Sequence, residues 1–175
     1  MSYGARMYFP LLRQMRKQLA QLDSWFDATI AFAKTRAFDP DVLLIARLSP
    51  DQFAFARQVQ TACDTAKLAA SRLSGKDAPS QPDTEKTLEQ LRARVHSVLE
   101  YLDTFTAADV ESAATRSVTQ ARWEGKTMSG ADYFVEHAVP NFYFHLSHAY
   151  AILRHNGVSL GKRDYLGPIS LRAPG

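Results

Sequence analysis

The residue types best suited to chemistry are concentrated late in this chain. Four of its five histidines, His137, His145, His148 and His155, lie between Met128 and Leu166. Imidazole titrates near neutral pH and ligates divalent transition metals, so a cluster of this kind is a candidate for proton transfer or metal binding. On a helix, at about 100° per residue, His137, Asn141, His145, His148 and His155 form one stripe. Beside it runs an apolar stripe of Val135, Ala138, Phe142, Leu146, Ala149 and Leu153. Glu136, Ser147 and Arg154 fall on the opposite side and are expected to face water. The inward direction therefore passes close to His145, the candidate catalytic group. His145 and His148, three residues apart, can share a zinc, nickel or iron ion with a ligand from a second helix. His145 alone can serve as a general base. The competing reading is a non-catalytic, dimeric bundle whose histidines satisfy backbone groups freed by Pro140.

Other patterns carry less. No glutamate has a histidine three residues on, which excludes the carboxylate-bridged di-iron bundle. The segment GVSLGK has three residues between its glycines where a phosphate-binding loop needs four, and no Ser or Thr follows Lys162. Cys63 has Lys67 one helical turn on, but in a helix of small residues it reads as a packing group.

Several elements must position the stripe. Ser129 with Asp132 predicts a helix start, Met128 and Tyr133 a hydrophobic staple, and Gly157 a stop, giving a helix over 130–155. Pro140 predicts a kink or break within it. Leu12, Met15, Leu19, Leu22, Phe26, Ile30 and Ala33 predict a first helix over 10–36, with Pro10 in its first turn and Trp25 at the stripe's edge, covering it or meeting a second subunit. Leu43 and Leu44 anchor a short crossing. Ser49-Pro50-Asp51-Gln52, with Leu48 and Phe53 as a staple, predicts a second helix over 50–74. Its inward residues are Phe55, Val59, Ala62, Ala66, Ala69 and Leu73, with Gln58 and Thr65 on one flank. Asp83 or Thr84 caps a third helix over 83–105, with Leu88, Leu91, Val95, Val98, Leu102 and Phe105 inward and His96 exposed. Between helices three and four, SVTQARWEGKTM predicts a short irregular hairpin anchored by Trp123. The tail over 157–175 is too rich in Gly and Pro for another element, though Tyr165 and Leu166 should pack back on the bundle. The expected fold is all-α: one four-helix-bundle domain over 1–175 with crossover connections.

Composition narrows the function classes. The 175 residues are 46% hydrophobic and 22% charged, as in an ordinary globular protein. The formal charge of +3 is spread along the chain, which argues against nucleic acid as a partner. No run approaches a membrane span and the N-terminus lacks the apolar core of a signal peptide. A single cysteine excludes an intrachain disulfide, and the expected location is the cytoplasm.

The strings NFYFHLSHAYAILRHNGVSLGKRDYLG and ARLSPDQFAFARQVQTACDTAK resemble a bacterial family within the DinB/YfiT-like superfamily of four-helix bundles. The resemblance covers nearly the whole chain. It implies a bundle with crossovers, frequent homodimers, and either metal-dependent hydrolysis or thiol-dependent transfer; the inward polar stripe itself points to a small-molecule ligand. It also implies a divalent metal on three histidines, one late in helix two and an H-x-x-x-H pair on helix four. Those positions here are Thr65, Asn141 and His145. Only His145 matches, so the metal site implied by the superfamily is degenerate in this chain. A rearranged site would use His145, His148 and His137. The pocket is expected around Thr65, His137, Asn141, His145 and His148.

Overall fold

A computed structural model describes residues 3–173, with side chains from Met7 onward. Four long helical runs pack side by side. α1 (Tyr3–Thr35) lies on α2 (Phe55–Ser74) and α3 (Leu88–Asp103), and α2 also packs closely on α3 and on the last long helix. That last run opens as α4 (Gly130–Asp132), passes through a π turn (Tyr133–Ala138) and continues as α5 (Val139–His155). A short α6 (Lys162–Leu166) follows. Between α3 and α4, β1 (Ser117–Val118) pairs antiparallel with β2 (Met128–Ser129), Ser117 opposite Ser129, which is the expected small hairpin. No helix among the described residues is long and apolar enough to cross a membrane.

Apart from Ile30, Ala33 and Val135, the apolar stripes read from the sequence form one buried cluster. Each buried aliphatic or aromatic side chain in it contributes roughly 1.5–3 kcal/mol. Ala62, Ala66, Ala69 and Ala70 are fully buried on α2, so neighbouring backbones approach closely there. Leu43 and Leu44 are buried on a 3-10 turn (Pro40–Ile45), as expected of the crossing.

The boundaries differ where tertiary contacts outweigh local signals. α1 begins seven residues before Pro10, which sits inside the helix rather than in its first turn. Ile30 is half-exposed, and Thr29 is buried in its place, its hydroxyl bonded to the Trp25 carbonyl at 2.7 Å. Trp25 is fully buried, not at an edge: its indole N–H donates to the Asp164 carbonyl at 3.1 Å and Tyr165 stacks on it. The tail thus contains a helix that the Gly and Pro content argued against. Tyr165 packs on the core as expected, but Leu166 is largely outside it.

α2 starts at Phe55, not at Pro50. The Ser49 hydroxyl is spent on the Asp51 carboxylate at 2.6 Å, and Leu48 and Phe53 stay exposed instead of forming a staple. The Phe55 N–H instead finds the Ala46 carbonyl at 2.9 Å, so the anchored crossing sets the helix start. α3 likewise starts at Leu88, with Thr87 capping the Gln90 N–H. Asp83 lies outside it and pairs with Arg57 and Arg94. The expected inward residues of α3 are all buried, and His96 is exposed beside Asp23.

The last long helix shows how Pro140 is accommodated. Ser129 accepts the Asp132 N–H at 3.1 Å, as the capping signal predicts. At the other end Gly157, at φ +96°, closes a Schellman turn: Val158 N–H to Leu153 O at 3.0 Å and Gly157 N–H to Arg154 O at 3.1 Å. Between them the ladder widens, with Val139 N–H reaching Phe134 O. One extra residue in the turn before Pro140 makes room for a ring that lacks a donor. The extra residue rotates everything N-terminal to it, so Val135 is exposed while Tyr133 and Phe134 are buried.

Candidate functional site

One flank of α2 faces the π turn and α5, and it carries Gln58, Thr65 and Arg72. Gln58 is fully buried. Its amide N–H donates to the Phe53 carbonyl at 3.1 Å, which turns its oxygen toward His145 Nδ1 at 2.8 Å. The oxygen can only accept, so His145 carries its proton on Nδ1 and presents an unprotonated Nε2. His145 is 7% exposed, with Phe53 stacked on one side and Phe144 edge-on. Burial, then the neighbouring His148 and Arg57, push its pKa down to about 4. His145 is therefore neutral at pH 7, an acceptor and too weak a base to hold a proton there.

One turn earlier, the Asn141 amide donates to the Thr65 hydroxyl at 2.7 Å, and that hydroxyl donates to the Thr61 carbonyl at 2.7 Å. The two positions that the superfamily resemblance pairs therefore touch in space. A divalent metal needs imidazole, thiolate or carboxylate donors, whereas a hydroxyl and a carboxamide bonded to each other are a poor set. Among the described residues no three His, Cys, Asp or Glu side chains converge to hold an ion. His148 donates from Nδ1 to the Phe144 carbonyl at 2.6 Å, and His155 is exposed. The residues present do not fit the implied metal.

They do frame space. A cavity of about 190 Å³ lies between Thr61, Thr65 and Arg72 of α2, Gln120 and Arg122 of the hairpin, and Tyr133, His137 and Asn141. A second, more open one of about 380 Å³ is lined by Glu136, His137, Pro140, Asn141, Phe144 and His145. His137 and Asn141 belong to both. His137 is half-buried, stacked on Tyr133 and edge-on to Trp123, and its Nε2 meets Arg122 Nη2. Burial and the Arg122 and Arg72 charges lower its pKa, so it too is neutral at pH 7.

Of the expected pocket residues, Thr65, His137, Asn141 and His145 line these cavities and His148 lines neither. Arg72, Gln120, Arg122 and Tyr133 were not anticipated. Arg72 was within reach, since it lies seven residues from Thr65 on the same helical face. Gln120 and Arg122 sit in a non-periodic loop that carries no such signal. Cys63 is a packing group: fully buried, its thiol is pushed up to about 12 by burial, with the nearby Arg94 the strongest opposing influence.

The sequence pattern described as "Domain of unknown function (DUF1993)" matches residues 7–166. The chain belongs to this DUF1993 family. A DinB family member protein from Shewanella denitrificans, known from its crystal structure, is 49% identical over 97% of both chains, with a TM-score of 0.93. No curated protein matches. DUF1993 here is thus an all-α, DinB-like bundle, in which α2 and the proline-bearing helix frame the cavities.

Proposed function

We propose that this DinB-like protein is a small-molecule binder whose ligand lies in the cleft between α2 and the π turn, without a resident divalent metal. The observation that carries the reading is the Asn141–Thr65 hydrogen bond at 2.7 Å, with cavities on either side of it. On this reading, the positions that the superfamily resemblance assigns to metal ligands are refitted as a satisfied polar wall. His145 is a positioned acceptor in that wall, held by Gln58 through Nδ1. With its proton affinity so low, it suits accepting a ligand's hydrogen bond better than abstracting a proton. Phe53 and Phe144, both about half-exposed around His145, provide an apolar rim. That rim also suits the homodimer implied by the superfamily resemblance.

The test is a screen of small metabolites by NMR on isotope-labelled protein. Ligands of this cleft shift the His137 and His145 ring resonances together and saturably. His145→Ala weakens them while the far-ultraviolet circular dichroism stays helical. Ligands that bind equally well to His145→Ala and shift neither ring would contradict the reading.

A further inference from the structure

We infer that the smaller cavity is an oxyanion site, taking the carboxylate or phosphate group of a small metabolite between Arg72 and Arg122 at the edge of the Tyr133–His137 ring stack. This inference rests on the reading of the cleft as a small-molecule site and names the ligand chemistry.

Charge is the first observation. Among the described residues, neither Arg72 nor Arg122 has a carboxylate within ion-pair distance. The arginines that tie the helices together do: Arg92 has Asp23 and Asp27, Arg16 has Asp103, and Arg94 has Asp64, Asp83 and Glu85. Asp64 borders the cavity, but its Oδ1 is held by Arg94 at 2.9 Å and Lys67 at 3.0 Å. The wall therefore carries two uncompensated guanidiniums, the groups whose forked donors match a carboxylate or phosphate.

Their placement is the second. Arg72 Nη1 donates to the Tyr133 hydroxyl at 3.0 Å and the guanidinium lies over that ring, 5.4 Å from its centre. Arg122 donates to His137 Nε2, and the Gln120 amide approaches the same nitrogen at 3.4 Å. Each contact uses one N–H of a fork and leaves the others for a ligand. Because Nε2 accepts, the His137 proton resides on Nδ1, which is buried without a protein partner among the described residues. A ring that stayed protonated would oppose both arginines; this one is neutral, and its role is to hold Arg122. The volume of about 190 Å³ equals about six waters at 30 Å³ each, enough for a headgroup and a few carbons.

The test uses the full chain, isotope-labelled, at low ionic strength. Sodium propionate and sodium phosphate are titrated separately against sodium chloride of equal ionic strength. His137 ring and Gln120 side-chain resonances and the unfolding temperature are followed. We expect a saturable shift at both residues and a higher unfolding temperature with propionate, phosphate or both. Which salt acts identifies the headgroup. Arg122→Gln, on an exposed turn, and Arg72→Gln should each weaken binding about tenfold or more, the value of one charge-assisted hydrogen bond. Arg72→Lys, which keeps the charge and loses the fork, should fall in between. The inference is overturned if chloride gives the same shifts, or if folded Arg122→Gln titrates like the parent. It also fails if neither anion binds; should a neutral metabolite still shift His137 and His145 in that case, the small-molecule reading stands without it.

Discussion

Supplying the ligands that the superfamily resemblance implies should create a metal site. The Thr65 hydroxyl oxygen and Asn141 amide nitrogen are 2.7 Å apart, and His145 follows Asn141 by one helical turn. Zinc bound at about 2.05 Å to imidazoles in tetrahedral geometry separates its ligand atoms by about 3.3 Å, so these positions converge at the required scale. Thr65→His combined with Asn141→His supplies three nitrogens beside a cavity that can accept the larger rings. His145 is already oriented by Gln58 through Nδ1, as metal-bound histidines usually are. At free zinc one hundred times the dissociation constant, binding stabilises the fold by about 2.7 kcal/mol. For a chain of this length that is a rise of about 5–10 °C in unfolding temperature. Thermal scans of the double variant with and without zinc should show it, and a further His145→Ala should remove it. A parent protein that rises equally, or a folded double variant that does not respond, would refute the claim that ligand identity at residues 65 and 141 removes the metal.

His145 has a folded-state pKa of about 4 against an ordinary 6.5, so the unfolded chain protonates first as pH falls. Its contribution is complete above about pH 6.5 and is lost toward pH 4, about 3 kcal/mol over that window; urea unfolding across it should be flatter for His145→Gln than for the parent. The Cys63 thiol should resist alkylation in the native protein at pH 8 and react once urea unfolds it, and fast native labelling would show that the site is open. A Cβ at Gly130 would collide with the Ala113 carbonyl oxygen, so Gly130→Ala should destabilise by about 1–3 kcal/mol or more and loosen the hairpin, visible as faster amide exchange at Val118. Arg94→Ala removes the one cation shared by Asp64, Asp83 and Glu85, and should cost about 3 kcal/mol in chemical denaturation.

The parts of this molecule legible in its sequence are those governed by helical periodicity. The faces from Leu12 to Phe26, from Phe55 to Leu73 and from Leu88 to Phe105 are buried as their spacing requires, and His145 points inward. Gln58 and Thr65, placed together on one flank of helix two, are the residues that hold His145 and Asn141. Non-local effects were not legible. A single extra residue in the π turn carried Val135 to the surface, which no fixed 100° projection anticipates. Ser49-Pro50 has every local mark of a helix start, yet the Ala46 carbonyl places that start at Phe55. Arg122 and Gln120 enter the cavity from a loop whose path depends on the finished bundle.

The claim that this bundle has exchanged a metal for a polar ligand wall is tested most directly by elemental analysis of protein purified without an affinity tag or chelator. Zinc, nickel and iron should each be found far below one equivalent per chain. One tightly held equivalent, retained by the parent and lost from folded His145→Ala, would contradict the claim.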